Sequence, residues 1–161
     1  MLSAALKTSS QFKRRLLLAT FVVYIAMIAA LTIVPTHLER LRTVDPDHIN
    51  LMPLQYSFKC FELARKRHPD LMGFCLRNTF GNILLFVPLG ILLPFVSWRF
   101  QSLKRLLLLA LCASLMIETI QFVMRFVGSP RAVDIDDVIF NTLGACVGFV
   151  IYGSAAKGER A

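Results

Sequence analysis

The chain has 161 residues, of which 56% are hydrophobic, and its mean hydropathy is +0.62. This composition excludes an ordinary soluble domain, because a chain of this length has too few polar residues to cover so much apolar surface. The net charge of +8 does not indicate nucleic-acid binding, since the basic residues lie at the ends of apolar segments, where Lys and Arg orient membrane helices and contact anionic lipid headgroups.

Four long apolar segments follow one another along the chain. A helix rises about 1.5 Å per residue, so roughly 20 residues cross the hydrocarbon core of a bilayer. We therefore predict an all-α, polytopic membrane helix bundle with four transmembrane spans in a single domain. The first span is too long for the apolar part of a cleaved signal peptide, and we expect it to be retained. The predicted spans are residues 16–34, 79–98, 106–124 and 138–156.

The distribution of basic residues predicts which side of the membrane each link occupies. With four spans, both termini share one side, which carries nine Lys and Arg residues in about thirty residues. The links 35–77 and 125–137 also carry nine, spread over nearly twice that length. The denser side is cytoplasmic by the positive-inside rule. We therefore expect both termini in the cytoplasm and the link 35–77 outside.

The long outer link has two features of its own. Cys60 and Cys75 both belong to it, and an outside location permits a disulfide between them without requiring one. The stretch 56–68 combines aromatic residues with a basic end, which predicts a short helix either along the lipid headgroups or on the protein surface.

Polar residues recur at the outer ends of three spans. In the third and fourth spans, three polar residues at the spacing i, i+3, i+7 lie on one helix face. A carboxylate inside a bilayer costs a few kcal/mol unless protein or water surrounds it. We therefore expect these faces to meet at one depth and to form a polar pocket open to the outside. The residues are Asn78 and Asn82, then Glu118, Gln121 and Arg125, then Asp134, Asp137 and Asn141.

Simpler structural roles are available for the same residues. Glu118 and its neighbours can fix helix register through interhelical hydrogen bonds, and Asp134 can cap the fourth helix. Asp136 lies off the polar face and is expected to be a solvated charge. Asp137 is expected to be matched by Arg125 or Arg131, by an ion, or by a proton shared with Glu118.

Two glycines predict where the fourth span packs. Gly144 and Gly148 have the spacing of a GxxxG contact and continue the face that holds Asp137 and Asn141. Small residues let a neighbouring backbone approach closely. The polar face of this helix is therefore also expected to be its packed face.

Three stretches together resemble the VanZ-like family of bacterial membrane proteins. They are NILLFVPLG (82–90), IETIQF (117–122) and DIDDVIFNTLGACVGF (134–149). NLMPLQ (50–55) is similar to the family element N-x-x-P-F, with Leu54 where Phe is usual. The similarity extends over about residues 16–152 and implies a bacterial plasma-membrane location. The family's namesake is associated with resistance to the lipoglycopeptide teicoplanin.

Two functions of different classes follow from the pattern and the resemblance. The first is a protein that binds membrane lipid, a lipid-linked envelope precursor or a lipoglycopeptide, with Asn82, Gln121, Arg125, Arg131 and Asn141 as ligand-binding residues. The second is a membrane-embedded enzyme acting on a phosphorylated lipid headgroup. Its carboxylates would be general acids and bases, or would hold Mg²⁺ or Mn²⁺, which prefer oxygen ligands. The carboxylates concerned are Glu118, Asp134 and Asp137. The sequence alone leaves open whether there is a reaction, which ligand is bound and how many copies assemble.

Overall fold

Five α-helices make up nearly all of the described chain in this computed structural model, which describes residues 2–33, 49–66, 68–126 and 133–158. Short 3₁₀ turns at Pro69–Leu71 and Trp98–Phe100 precede the third and fourth helices. The helices are α1 (Leu2–Ile33), α2 (Gln55–Lys66), α3 (Met72–Val96), α4 (Leu103–Arg125) and α5 (Ile135–Gly158).

Four of these helices are long and apolar enough to cross a membrane, which confirms the predicted fold class. Their spans begin and end at Gln11–Thr32, Pro69–Val96, Leu103–Met124 and Ile135–Ala156. The second span begins earlier than the predicted residue 79, because backbone hydrogen bonding continues the helix through polar residues that end the apolar run. In the α1 span 11% of residues are buried, against 33% in the α4 span, so α1 lies at the edge of the bundle.

The tightest contact in the bundle joins α3 and α5. A Cβ atom placed on Gly144 would collide with the carbonyl oxygen of Ile83, and one on Gly148 would collide with that of Val87. Gly90 of α3 meets α5 in the same way, against the carbonyl oxygen of Ala145. The glycines therefore allow the two backbones to touch, as the GxxxG spacing predicted.

Helix α1 is joined to the bundle by a buried tyrosine. Tyr24 is 5% exposed, and its hydroxyl donates a hydrogen bond of 2.7 Å to the carbonyl oxygen of Leu85 in α3. Around it lies the apolar core, in which large side chains of α3 and α4 such as Phe86 and Leu106 are fully buried.

Two connections hold residues 49–66 at one end of the bundle. Strand β1 (Ile49–Asn50) pairs in parallel with strand β2 (Val133–Asp134), with Asn50 opposite Asp134. A disulfide joins Cys60 of α2 to Cys75 of α3, with a Cα–Cα distance of 5.9 Å. As a result, α2, the helix predicted over 56–68, is fixed beside the start of α5.

Candidate functional site

The polar faces of α4 and α5 lie against each other. Asn141 Nδ2 donates to Ser114 Oγ over 2.8 Å, and the backbone N–H of Asp134 donates to Glu118 Oε2 over 3.2 Å. Ser114 is fully buried and Glu118 is 7% exposed, so both face protein rather than the bundle surface. Ser114 was not among the residues predicted from the sequence, although it lies one helical turn before Glu118 on the same face.

Asp137 joins the polar faces of α5 and α3. Asn82 Nδ2 donates to Asp137 Oδ1 over 2.5 Å, and Asn78 Nδ2 reaches the same oxygen over 3.4 Å. No hydrogen bond from the described residues reaches Asp137 Oδ2. The side chain is partly exposed. One oxygen of Asp137 therefore accepts hydrogen bonds from two amides. The other has no donor among the described residues and can accept a hydrogen bond from a ligand.

Asp134 acts as the N-cap of α5. Its Oδ1 accepts a hydrogen bond of 3.0 Å from the backbone N–H of Asp136, which is the usual capping contact. The same oxygen accepts a hydrogen bond of 2.8 Å from Asn50 Nδ2. Asn50 and Asp134 are 3% and 5% exposed, so this buried pair also fixes β1 to β2.

The prediction that Asp136 is a solvated charge is wrong. Its side chain is fully buried, and Oδ2 accepts hydrogen bonds from the backbone N–H of Ser57 (3.1 Å) and from Ser57 Oγ (2.7 Å). Oδ1 accepts a further short hydrogen bond from the N–H of Leu54. Asp136 does point away from the Asp137 face, but α2 covers the direction in which it points. The free N–H groups at the start of α2 attract a carboxylate, which caps that helix from another part of the chain.

The turn before α2 has an unusual backbone. Leu54 has a φ of 62°, a conformation that side chains other than glycine rarely adopt. Such a residue costs about 1–3 kcal/mol and persists only where the surroundings hold it. The hydrogen bond from its N–H to Asp136 is one interaction that holds it here.

Tyr56 also belongs to this region, although it was not among the residues predicted from the sequence. Burial raises the pKa of its hydroxyl, and the negative charges of Asp134 and Asp137 raise it further. The sequence places Tyr56 three residues after the N-x-x-P stretch at residues 50–53, which resembles a family element. Only the fold shows that this stretch packs beside α5.

The remaining predicted residues are placed differently. Gln121 is 8% exposed, and its Nε2 donates over 2.8 Å to the carbonyl oxygen of Thr32, so it joins α4 to the end of α1. The side chain of Arg125 and the whole of Arg131 lie outside the described residues. Within the described ranges, no group of three or more His, Cys, Asp or Glu residues has a geometry that could hold a metal ion.

The side chains that α3, α4, β2 and α5 bring to the end of the bundle where α4 ends and α5 begins form a polar cluster. Its members are Asn78, Asn82, Glu118, Asp134, Asp136 and Asp137.

Comparison with known proteins identifies the family. The model of the family described as VanZ/LLP1 matches residues 21–156 of the chain. The chain belongs to the VanZ/LLP1 family. Protein VanZ of Enterococcus faecium is 32% identical to it over 111 residues, which cover 66% of this chain and 66% of that protein. The chain thus matches slightly under two thirds of the length of this VanZ relative. No solved structure matches this VanZ-family chain at a significant level.

Family membership and the four apolar helices together establish a multi-pass membrane protein. All members of the polar cluster lie within residues 21–156, the part of the chain that matches the VanZ family.

Proposed function

We propose that this VanZ-family protein binds a ligand of the cell envelope at the polar cluster without converting it to a product. The ligand is a lipid-linked envelope precursor or a lipoglycopeptide. The observation that carries the proposal is Asp137, which two amides hold in place and which keeps one oxygen without a donor among the described residues. A fixed group with spare accepting capacity is suited to recognition.

The surrounding carboxylates favour binding over catalysis. Asp134 and Asp136 each accept hydrogen bonds from backbone N–H groups and hold α5 and α2 in place. A general acid or base has to exchange its proton with a substrate, and a carboxylate engaged with two or three protein donors is poorly placed to do so. Asp134 and Asp136 therefore maintain the shape of the site, and Asp137 is the residue that contacts the ligand.

The orientation belongs to the same proposal. The Cys60–Cys75 disulfide is expected to form on an oxidising side of the membrane, and the polar cluster lies at that end of the bundle. The distribution of basic residues independently favours a cytoplasmic location for both termini. The polar cluster then opens to the outside of the bacterial cell membrane, where envelope precursors and antibiotics are present.

Binding by full-length protein in nanodiscs tests the proposal. The two probes are teicoplanin and a purified lipid-linked cell-wall precursor, each titrated while a label on the nanodisc scaffold reports binding. We expect Asp137→Asn and Asn82→Ala to weaken the affinity for the bound probe at least about tenfold, equivalent to about 1.4 kcal/mol. Asp70→Asn is the matched control, because Asp70 is an exposed carboxylate just before α3, and it should leave affinity unchanged.

Two results would contradict the proposal. One is equal affinity of the original protein and Asp137→Asn for every probe that binds. The other is chemical conversion of the bound precursor, detected by mass spectrometry and lost in Asp137→Asn, which would favour the enzymatic alternative.

A further inference from the structure

Asn141 has a buried acceptor to which no group of the described residues donates. Its side chain is 2% exposed, and its Nδ2 donates to Ser114, but its Oδ1 has no hydrogen-bond partner within the described ranges. Leaving such an oxygen unpaired inside a protein costs about 1–3 kcal/mol. A hydrogen-bond donor that is not part of the described chain would remove this cost.

Asp137 has only neutral partners among the described residues. The amides of Asn78 and Asn82 both donate to Oδ1, and neither neutralises the carboxylate. A charged carboxylate near hydrocarbon is costly unless a positive charge or a proton accompanies it. The unused Oδ2 is the atom at which such a partner would bind.

The two unused acceptors lie one helical turn apart on one face of α5. Side chains at positions i and i+4 of a helix have Cβ atoms about 6 Å apart, and an N–H···O hydrogen bond is about 2.9 Å long. This spacing permits a single nitrogen between the two side chains to approach both oxygens.

We infer that a primary ammonium group binds between Asp137 and Asn141, donating one N–H to Asp137 Oδ2 and another to Asn141 Oδ1. The inference rests on the proposed function, since it uses the same carboxylate, and it adds the chemistry of the ligand. Water would satisfy Asn141 but would leave the charge of an ionised Asp137 unbalanced. A quaternary ammonium carries the charge but has no N–H to donate. A protonated primary amine meets both requirements.

Two sources could supply this group at the outer face of the membrane. One is the headgroup of an aminolipid such as phosphatidylethanolamine, and the other is a soluble amine carried by a sugar or an antibiotic. Both present the same –NH₃⁺ donor, so the experiment needs one arm for each.

The test uses purified full-length protein in nanodiscs and follows thermal unfolding. In the first arm, the lipid is phosphatidylcholine, and methylammonium chloride is compared with tetramethylammonium chloride at equal ionic strength. We expect methylammonium to raise the Tm in a saturable way and tetramethylammonium to have no effect beyond that of NaCl. In the second arm, phosphatidylethanolamine replaces part of the phosphatidylcholine, and we expect a higher Tm if the lipid is the source.

Variants locate the site. Asp137→Asn should raise the half-saturating methylammonium concentration at least about tenfold, and Asn141→Leu should do the same to a smaller extent. Asp70→Asn should respond like the original protein. Because the original protein alone gives the comparison between the two amines, the test does not depend on the variants folding.

Each outcome decides the inference. A response in either arm that Asp137→Asn abolishes supports it and identifies the source of the amine. Equal effects of methylammonium and tetramethylammonium would reveal charge screening only and overturn it. The absence of any amine or phosphatidylethanolamine effect would also overturn it. If no amine had an effect but Asp137→Asn still weakened the binding of teicoplanin or the cell-wall precursor, the proposed function would be supported. Only the inference that the ligand binds through a primary ammonium group would be rejected.

Discussion

At the scale of single residues, neighbouring carboxylates in one stretch of sequence have separate tasks. Asp134 caps the helix it begins, Asp136 caps α2, and Asp137 is held by amides of α3. Adjacent residues on a helix are rotated by about 100°, so each of these side chains meets a different part of the protein. Replacing one of them therefore tests one contact without directly changing the others.

Asp136→Ala is predicted to destabilise the protein. The change leaves the N–H groups of Leu54 and Ser57 without their carboxylate acceptor, and hydrogen bonds to a charged group contribute about 1.5–3 kcal/mol each. We expect the free energy of unfolding in detergent to fall by about 3 kcal/mol, and α2 to become more sensitive to protease. Asp70→Ala, at an exposed site, should change it by less than about 0.5 kcal/mol. Equal free energies of unfolding for Asp136→Ala and Asp70→Ala would show that Asp136 does not stabilise the start of α2.

At the scale of helices, close backbone contact between α3 and α5 sets the position of the polar cluster. Asn82 and Asp137 can meet because the glycines of α5 let α3 approach within backbone contact about two and three turns deeper in the bundle. The disulfide between α2 and α3 acts on the same end, since it fixes the helix whose first turn binds Asp136.

Alanine at two glycines of α5 should have opposite effects. In Gly148→Ala the new methyl group meets the carbonyl oxygen of Val87, a backbone atom that cannot rotate away. We expect a loss of about 2 kcal/mol or more in unfolding free energy. Gly153 has nothing within 4 Å of the added carbon, so Gly153→Ala should be neutral or should stabilise by up to about 1 kcal/mol through helix propensity. Thermal unfolding of both variants in the same detergent makes the comparison, and similar losses in both would contradict the packing described.

Removing the disulfide should loosen α2 specifically. The bridge spans 15 residues of sequence, and a loop of that size corresponds to about 3 kcal/mol in the chain-entropy model. We expect Cys60→Ser with Cys75→Ser to lower the Tm, and a reducing agent to lower that of the original protein alone. Replacing Cys112 and Cys146, which are free, should preserve the sensitivity to reduction. A Tm of the original protein that did not respond to complete reduction would show that the bridge contributes little to stability.

At the scale of the whole molecule, the distribution of charge and the position of the disulfide are expected to agree on one orientation. The basic termini and the α3–α4 link lie on the side opposite to α2 in a four-span topology. The polar cluster is at the same end as α2, so its accessibility depends on this orientation.

Cysteine labelling of intact cells tests the orientation. Cysteines are introduced singly as Ser129→Cys or Ser102→Cys, with Cys112 and Cys146 replaced and the disulfide retained. We expect a membrane-impermeant maleimide to label position 129 from outside the cell and to label position 102 only after the membrane is opened. Labelling of position 102 in intact cells, with position 129 protected, would place the polar cluster in the cytoplasm and reject the proposed orientation.

The sequence by itself determined the four spans, the contact through Gly144 and Gly148, and the face of α5 that carries Asp137 and Asn141. These features depend on the length of an apolar run and on the helical period, which are local properties of the chain. Only the tertiary structure decided which donor each carboxylate receives, and it reversed the expectation for Asp136. Ser57 and Asp136 are 79 residues apart in sequence, and Asn50 and Asp134 are 84 apart. The residue pattern of either segment does not predict these contacts. They depend on how the helices pack and on the disulfide that holds α2 against them.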